Sequence, residues 1–168
     1  PGYENFHPTD ATLFPIYEYC QQKKKTVMFH TGILMAGRAG RLKQVHPLEI
    51  DEVAYRFPDL TIVMAHLGNP WIMDCAAVVG KNEHVYTDVS AFFTENSSIN
   101  PEEQKDFVRR VSEFKRFVGS LKKCLFGTDW PLYNQKRYLE AVQAIPMTDE
   151  EKELVFWKNA VTLFSLNA

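Results

Sequence analysis

The sequence predicts an α/β fold built on a parallel sheet. Short apolar, β-branched runs at 26–30, 60–66, 85–90 and 124–129 alternate with longer amphipathic stretches. The two most apolar runs, 60–66 and 124–129, are nearly continuous rather than alternating, which marks strands covered on both faces. Strands that alternate with helices argue for right-handed crossovers between parallel neighbours.

The elements follow in order. Residues 11–24 place Leu13, Ile16, Tyr17 and Cys20 at helical spacing, and Lys23, Lys24 and Lys25 suit the negative end of that helix. The first strand, 26–30, ends on His30. A long loop, 31–45, follows with Gly32, Gly37 and Gly40 beside Arg38, Arg41 and Lys43; a long loop after a strand often carries function. The helix at 47–57 is expected to bury a stripe of Leu48, Val53 and Phe57, and Pro58 stops it. The strand at 60–66 precedes a helix at 70–79, with Pro70 or Trp71 in its first turn. After the strand at 85–90, Asn100-Pro101-Glu102-Glu103 opens a helix to 118: Asn caps, Pro fits the first turn, and the carboxylates face the positive helix end. Beyond the strand at 124–129 come helices at 135–144 and 148–164, the latter opened by Thr148 and Glu151 in capping-box spacing. No repeat, low-complexity segment or linker divides the chain, so it reads as one domain, 1–168.

Composition narrows the function. Hydrophobic residues are 45% of the 168, enough for a core, and the formal net charge is -2. A nucleic-acid or anionic-membrane partner needs a concentrated positive field, so neither is expected. No apolar run approaches the roughly 18 residues of a membrane span. Cys20, Cys75 and Cys124 are odd in number and lack CxxC spacing, which argues against a disulfide framework or a cysteine zinc site. Cys75 and Cys124 read as small buried hydrophobes, and a reducing, cytoplasmic setting is expected. The opening Pro1-Gly2-Tyr3-Glu4 shows no signal peptide, and the missing initiator Met points to processing or an incomplete chain.

Three ligand-capable residues, His30, His66 and Asp129, fall at the C-terminal ends of predicted strands, each followed by turn residues. A parallel sheet brings such ends together although they are distant in sequence. Two imidazoles and a carboxylate suit a borderline divalent metal such as zinc, and a carboxylate beside the metal's water could take its proton. Each has a plainer reading: a lone strand-end His is commonly a packed, hydrogen-bonded residue, and Asp129 is good turn material before Trp130-Pro131. Three hits at equivalent places favour a site. His7 and His46, each before a proline, read as helix-entering residues, although His46 leaves a substrate contact open. His84 lies on the opposite face. Asp88, inside its strand, either points into the barrel interior or bonds a neighbouring loop.

The segments Phe29-His30-Thr31-Gly32, 57–68 (FPDLTIVMAHLG), 85–90 (VYTDVS) and 126–131 (FGTDWP), in this order, resemble the amidohydrolase-2 family of TIM-barrel metal enzymes. The resemblance runs from Pro1 to the last helix and implies a (β/α)8 barrel, of which this chain holds strands five to eight with their helices, a C-terminal half-barrel. It implies a divalent metal, most often zinc, with manganese as an alternative. It makes His30 and Asp129 metal ligands, and His66 a substrate-facing acid/base or a further ligand. A full barrel needs about 250 residues, and the family's first-strand His-x-His or Glu-x-His ligand pair has no counterpart here.

The expectation is therefore a metal-dependent hydrolase of a small organic acid, ester or amide, with decarboxylation of a small aromatic carboxylate on the same site as the alternative. Asp129 would move the proton and His66 would stabilise developing charge. Arg38 and Arg41 are candidates for a substrate carboxylate, which arginine grips bidentately; as solvated loop residues they would do nothing. A non-catalytic half-barrel subunit or binding module is the rival from another class. Exposed sheet edges lead one to expect a homo-oligomer or a pairing with an N-terminal half-barrel, the first half having been lost, omitted or supplied by another chain; a start in a loop favours loss or omission.

Overall fold

The computed structural model describes residues 1–4, 6–35, 40–93 and 99–166. Four strands, β1 (Val27–Phe29), β2 (Ile62–Met64), β3 (Val85–Asp88) and β4 (Cys124–Leu125), form one parallel sheet in sequential order. The helices between them are α2 (Pro47–Arg56), α3 (Ile72–Lys81) and α4 (Pro101–Val118), with α1 (Phe14–Gln22) before the sheet and α5 (Gln135–Gln143), α6 (Asp149–Glu153) and α7 (Asn159–Phe164) after it. The predicted order holds. The strands are shorter than their apolar runs, because the residues beyond Phe29, Met64 and Leu125 leave the ladder to form rim turns.

The register explains the core. Phe29, Met64, Thr87 and Cys124 stand opposite one another across the sheet, all buried on the helix-covered face. Phe29, Met64 and Cys124 pack with Tyr17, Ile50, Val53, Phe107 and Tyr138 in one apolar cluster. Cys75 and Cys124 are fully buried there, and burial pushes the Cys75 thiol up to about 12. Thr87 is tolerated in this layer because its hydroxyl donates to the Met64 carbonyl at 2.7 Å. Alternation puts Met28, Val63 and Tyr86 on the other face, where Met28 is 51% exposed. Among the described residues no helix is long and apolar enough to cross a membrane.

Helix ends follow the predicted chemistry with three adjustments. Asn100 with Glu103, and Thr148 with Glu151, form reciprocal capping boxes. α1 is preceded by a 3-10 turn, Ala11–Leu13, so the α-helix begins at Phe14, just ahead of Pro15. Pro70 and Trp71 precede α3 instead of occupying its first turn. The single C-terminal helix expected at 148–164 is interrupted by a π-helical turn, Leu154–Lys158, where Val155 offers its carbonyl to the Phe126 N–H at 2.7 Å; binding the end of the sheet draws that carbonyl out of regular α spacing.

Glu151 is the buried charge that ties α6 to α4 and to the turn before β4. Its carboxylate accepts from Lys115 Nζ at 2.8 Å and from the backbone N–H groups of Leu121 and Thr148, each at 2.9 Å. Burial alone would raise its pKa, but these donors outweigh burial and hold it down at about 2. Its stabilising contribution is therefore complete above the ordinary value of 4.5 and is lost as pH falls toward 2. Glu151→Gln is expected to cost about 2 kcal/mol at pH 7, read from urea midpoints, and the difference from wild type should shrink on acidification through that window. A pH-independent difference would mean the carboxylate's charge is not what matters.

Candidate active site

All four strands deliver their C-terminal ends to one rim, and the sequence-predicted residues stand on it. His30 directly follows β1. His66 lies two residues past β2, inside a tight turn, Ala65–Gly68, where it takes a left-handed backbone (φ 65°). The sequence placed His66 on the strand end. It sits in the turn instead because its N–H donates to Asp88 Oδ1 at 3.0 Å rather than to a neighbouring strand. Asp129, at φ 61°, begins a turn closed by the Leu132 N–H on its carbonyl.

Backbone strain gathers here. Of six described non-glycine residues with positive φ, four belong to this rim: His66, Leu67, Ala91 and Asp129. Left-handed backbone costs a non-glycine residue roughly 1–2 kcal/mol, and its clustering on one rim is characteristic of functional sites. Specific bonds hold the strained turns. Thr31, buried, donates its hydroxyl to the Ala65 carbonyl, tying the β1 exit to the β2 exit. Tyr138 of α5 donates to the Val89 carbonyl and accepts from the Phe92 N–H, and Tyr133 donates to the Phe93 carbonyl at 2.6 Å. These two tyrosines brace the segment after β3 from outside.

Glycine is required at one point of the rim and packs closely at another. A Cβ on Gly32, which has φ 105°, would lie 2.5 Å from the Asn69 carbonyl oxygen, the same oxygen that accepts the Ile33 N–H at 2.8 Å. A Cβ on Gly127 would press on Ser90 Cβ at 3.3 Å and Asp88 Cγ at 3.4 Å.

His30, His66 and Asp129 line a single cavity of about 320 Å³, within the range of small-molecule sites. Tyr3, Ile33, Leu132 and Tyr133 give it apolar walls. A larger hollow, about 620 Å³, is lined only by residues of the segment from Trp130 to Arg137. It joins no groups from different strands, so the smaller cavity is the chemically richer one.

Within the cavity the two imidazoles meet. His66 Nε2 lies 3.1 Å from His30 Nδ1, and His66 Nδ1 lies 2.7 Å from Ser90 Oγ. Ser90 in turn donates to Asp88 Oδ1, which also accepts the Ser90 N–H at 2.9 Å. Tyr3 packs on His30 with ring centroids 5.2 Å apart. Burial, with the neighbouring His66 adding to it, lowers the His30 pKa to about 4, so the ring is neutral near pH 7. His30 Nε2 is buried and, among the described residues, has no hydrogen-bond partner. A neutral imidazole with one idle nitrogen, sharing a cavity with a second imidazole and a carboxylate, fits a divalent-metal donor set. Among the described residues no three His, Cys, Asp or Glu side chains converge into a metal shell, so any shell at this rim would draw on further donors.

The other candidates are placed elsewhere. Arg38 lies outside the described residues. Arg41 is exposed and does not line the cavity. His46 caps α2, its Nδ1 accepting from the Leu48 N–H. The His7 ring pairs with Glu49 at 3.1 Å, while its backbone N–H is held by Asp10 ahead of the first helical turn. His84 precedes β3 at the opposite end of the sheet, its carbonyl accepting the Ile62 N–H. Of the two readings left open for Asp88, the loop bond is observed, to the turn after β2. The roles of Ser90 and Thr31 escaped the sequence; the only signal was their spacing, two residues after Asp88 and one after His30.

Fold and rim together define a parallel half-barrel with its polar groups at the C-terminal face. The family model described as amidohydrolase matches residues 1–166, and the chain belongs to that family. Among solved structures, an uncharacterized TIM-barrel protein from Bordetella bronchiseptica is 26% identical, with a TM-score of 0.71, over 94% of this chain and 52% of its own. An amidohydrolase from Burkholderia multivorans with bound zinc is 14% identical, with a TM-score of 0.74, over 95% and 59%. A dihydroxybenzoic acid decarboxylase from Polaromonas sp., with bound manganese and the inhibitor 2-nitroresorcinol, is 18% identical, with a TM-score of 0.68, over 97% and 56%. The chain thus spans little more than half the length of these relatives. No curated protein matches the sequence.

The Gly32 contact gives a test of the rim. Gly32→Ala is expected to cost about 1–3 kcal/mol, measured by urea unfolding, because both its φ and the Asn69 carbonyl resist a side chain. A variant as stable as wild type would show that the β1 and β2 exits are not packed as described.

Proposed function

We propose that this chain supplies the His30, His66 and Asp129 side of a metal-dependent hydrolase site for a small organic acid, ester or amide. One observation carries the reading: three groups from three different strand exits line one cavity, and the His30 Nε2 among them is buried and unpartnered. His30 and Asp129 would hold the ion, zinc or manganese, with His66 beside them as acid/base or further ligand. The remaining donors would come from a companion half-barrel, in the same chain or in another copy. When bound, such an ion lowers the pKa of a water to about 7 and polarises a carbonyl oxygen. Asp129 takes the proton that the attacking water releases, and His66 faces the charge that develops on the substrate.

Decarboxylation on the same site is the second reading. It is favoured by the cavity's walls, since Tyr3 and Tyr133 with Ile33 and Leu132 suit a flat aromatic ring. The fold likeness to a dihydroxybenzoic acid decarboxylase points the same way. His66 or Asp129 would then deliver the proton to the carbon that loses carbon dioxide.

Elemental analysis of protein purified without chelator is the test. About one divalent ion per site is expected, with loss of the ion and at least 100-fold loss of activity, about 2.7 kcal/mol or more of barrier, in His30→Ala and in Asp129→Ala. Release of carbon dioxide from hydroxybenzoates would favour the second reading. Unchanged metal content in both variants would sink the assignment, and protein that takes up no zinc or manganese would leave the binding-module reading in its place.

A further inference from the structure

The hydrogen bonds on the rim form a directed chain across the exits of three strands, and its direction is set at Asp88. Asp88 Oδ1 receives two backbone N–H groups, from His66 at 3.0 Å and from Ser90 at 2.9 Å. Neither donor can reverse, so this oxygen is an acceptor, and the Ser90 hydroxyl spends its one hydrogen on it. Ser90 Oγ can then only accept from His66 Nδ1, 2.7 Å away. In its neutral form the ring carries a single N–H, and in that form His66 Nε2 is left as the acceptor on the cavity side. His30 Nδ1, 3.1 Å from it, must donate, which leaves His30 Nε2 as a bare lone pair. That atom is the buried nitrogen without a partner.

We propose that Asp88 and Ser90 are positioning residues that fix His66 in its Nδ1–H tautomer, and through it His30 in the same tautomer. The pair thereby presets two functional nitrogens at once: a basic Nε2 on His66 and an open donor nitrogen on His30. Ser90 is the switch point, because it is the only link whose hydrogen could otherwise rotate. Tyr138 and Tyr133 hold the segment that carries it, and the absence of a side chain at Gly127 leaves room for both Ser90 and Asp88. Without the Ser90 hydroxyl, His66 Nδ1–H loses its acceptor. The ring then gains by moving its proton to Nε2 and donating to His30 Nδ1, which forces the His30 proton onto Nε2 and blocks the donor nitrogen. The tautomer assignment stands on the hydrogen-bond geometry of the neutral rings; its consequence for metal affinity rests on the metal site proposed above.

The test is nitrogen NMR of the full chain, labelled at histidine with 15N, stripped of metal and held near neutral pH. His30→Gln and His66→Gln assign the two rings. Wild type is expected to show the Nδ1–H tautomer for both, and Ser90→Ala the Nε2–H tautomer for both, with a thermal melt confirming that the variant is folded. A wild-type His66 found as Nε2–H or doubly protonated overturns the proposal, and so does a folded Ser90→Ala protein with unchanged tautomers. Should Ser90→Ala fail to fold, the wild-type spectrum alone decides. Zinc affinity by chelator competition is the second arm: Ser90→Ala should weaken it roughly 10- to 100-fold, as loss of a partner behind a ligand does. Wild-type protein with the expected tautomers but no zinc affinity would refute the metal site and leave the Asp88–Ser90 role standing.

Discussion

In a parallel ladder every strand must end on the same rim, because each crossover helix returns the chain to the opposite end of the sheet. Here that constraint acts four times, along β1 to β4 in sequential order. His30, His66, Ser90 and Asp129 are up to 99 positions apart in sequence, yet they share a rim because the ladder leaves them no other place. The core serves the same end. Phe29, Met64, Thr87 and Cys124 lock the strands in register on the helix-covered side, and that register sets the height at which each polar residue emerges.

The rim is costly to build. Four residues take left-handed backbone without being glycine, and a carboxylate is buried beside them at Asp88. Two kinds of interaction offset this cost. Asp88 Oδ1 accepts from His66 and Ser90, so it is satisfied while it holds the turn after β2 in its strained form. Thr31, Tyr133 and Tyr138 donate to carbonyls of the exits after β2 and β3, which lie beyond the ladder and would otherwise lack donors. A site so braced keeps its imidazoles in one geometry before any ligand arrives, which is the condition for preorganised binding or catalysis.

The family and the fold are one finding and the chemistry another. Membership among the amidohydrolases follows from a match over residues 1–166, and the solved relatives share the barrel architecture at low identity. The rim has its own logic in its atoms: one cavity, two facing imidazoles, one carboxylate and a buried nitrogen without a hydrogen-bond partner among the described residues. Imidazoles and carboxylates are the side chains that exchange protons and coordinate cations, and the walls around them are largely apolar.

The sequence by itself determined the sheet, the helix order and the three candidate residues, because strand periodicity, capping boxes and strand-end polar residues are local signals. Asn100 with Glu103 and Thr148 with Glu151 could be read directly. It also determined that Cys75 and Cys124 would be buried. Only the tertiary structure decided that His66 leaves the strand for a left-handed turn, that Asp88 faces that turn, and that Ser90 joins the two. It alone brought His30 and His66 into contact and left Arg41 away from the cavity wall. The physical reason is range. A periodicity or a cap is written within a few neighbouring residues, whereas a hydrogen bond between strands 22 or 36 residues apart exists only once packing has set the distance between them.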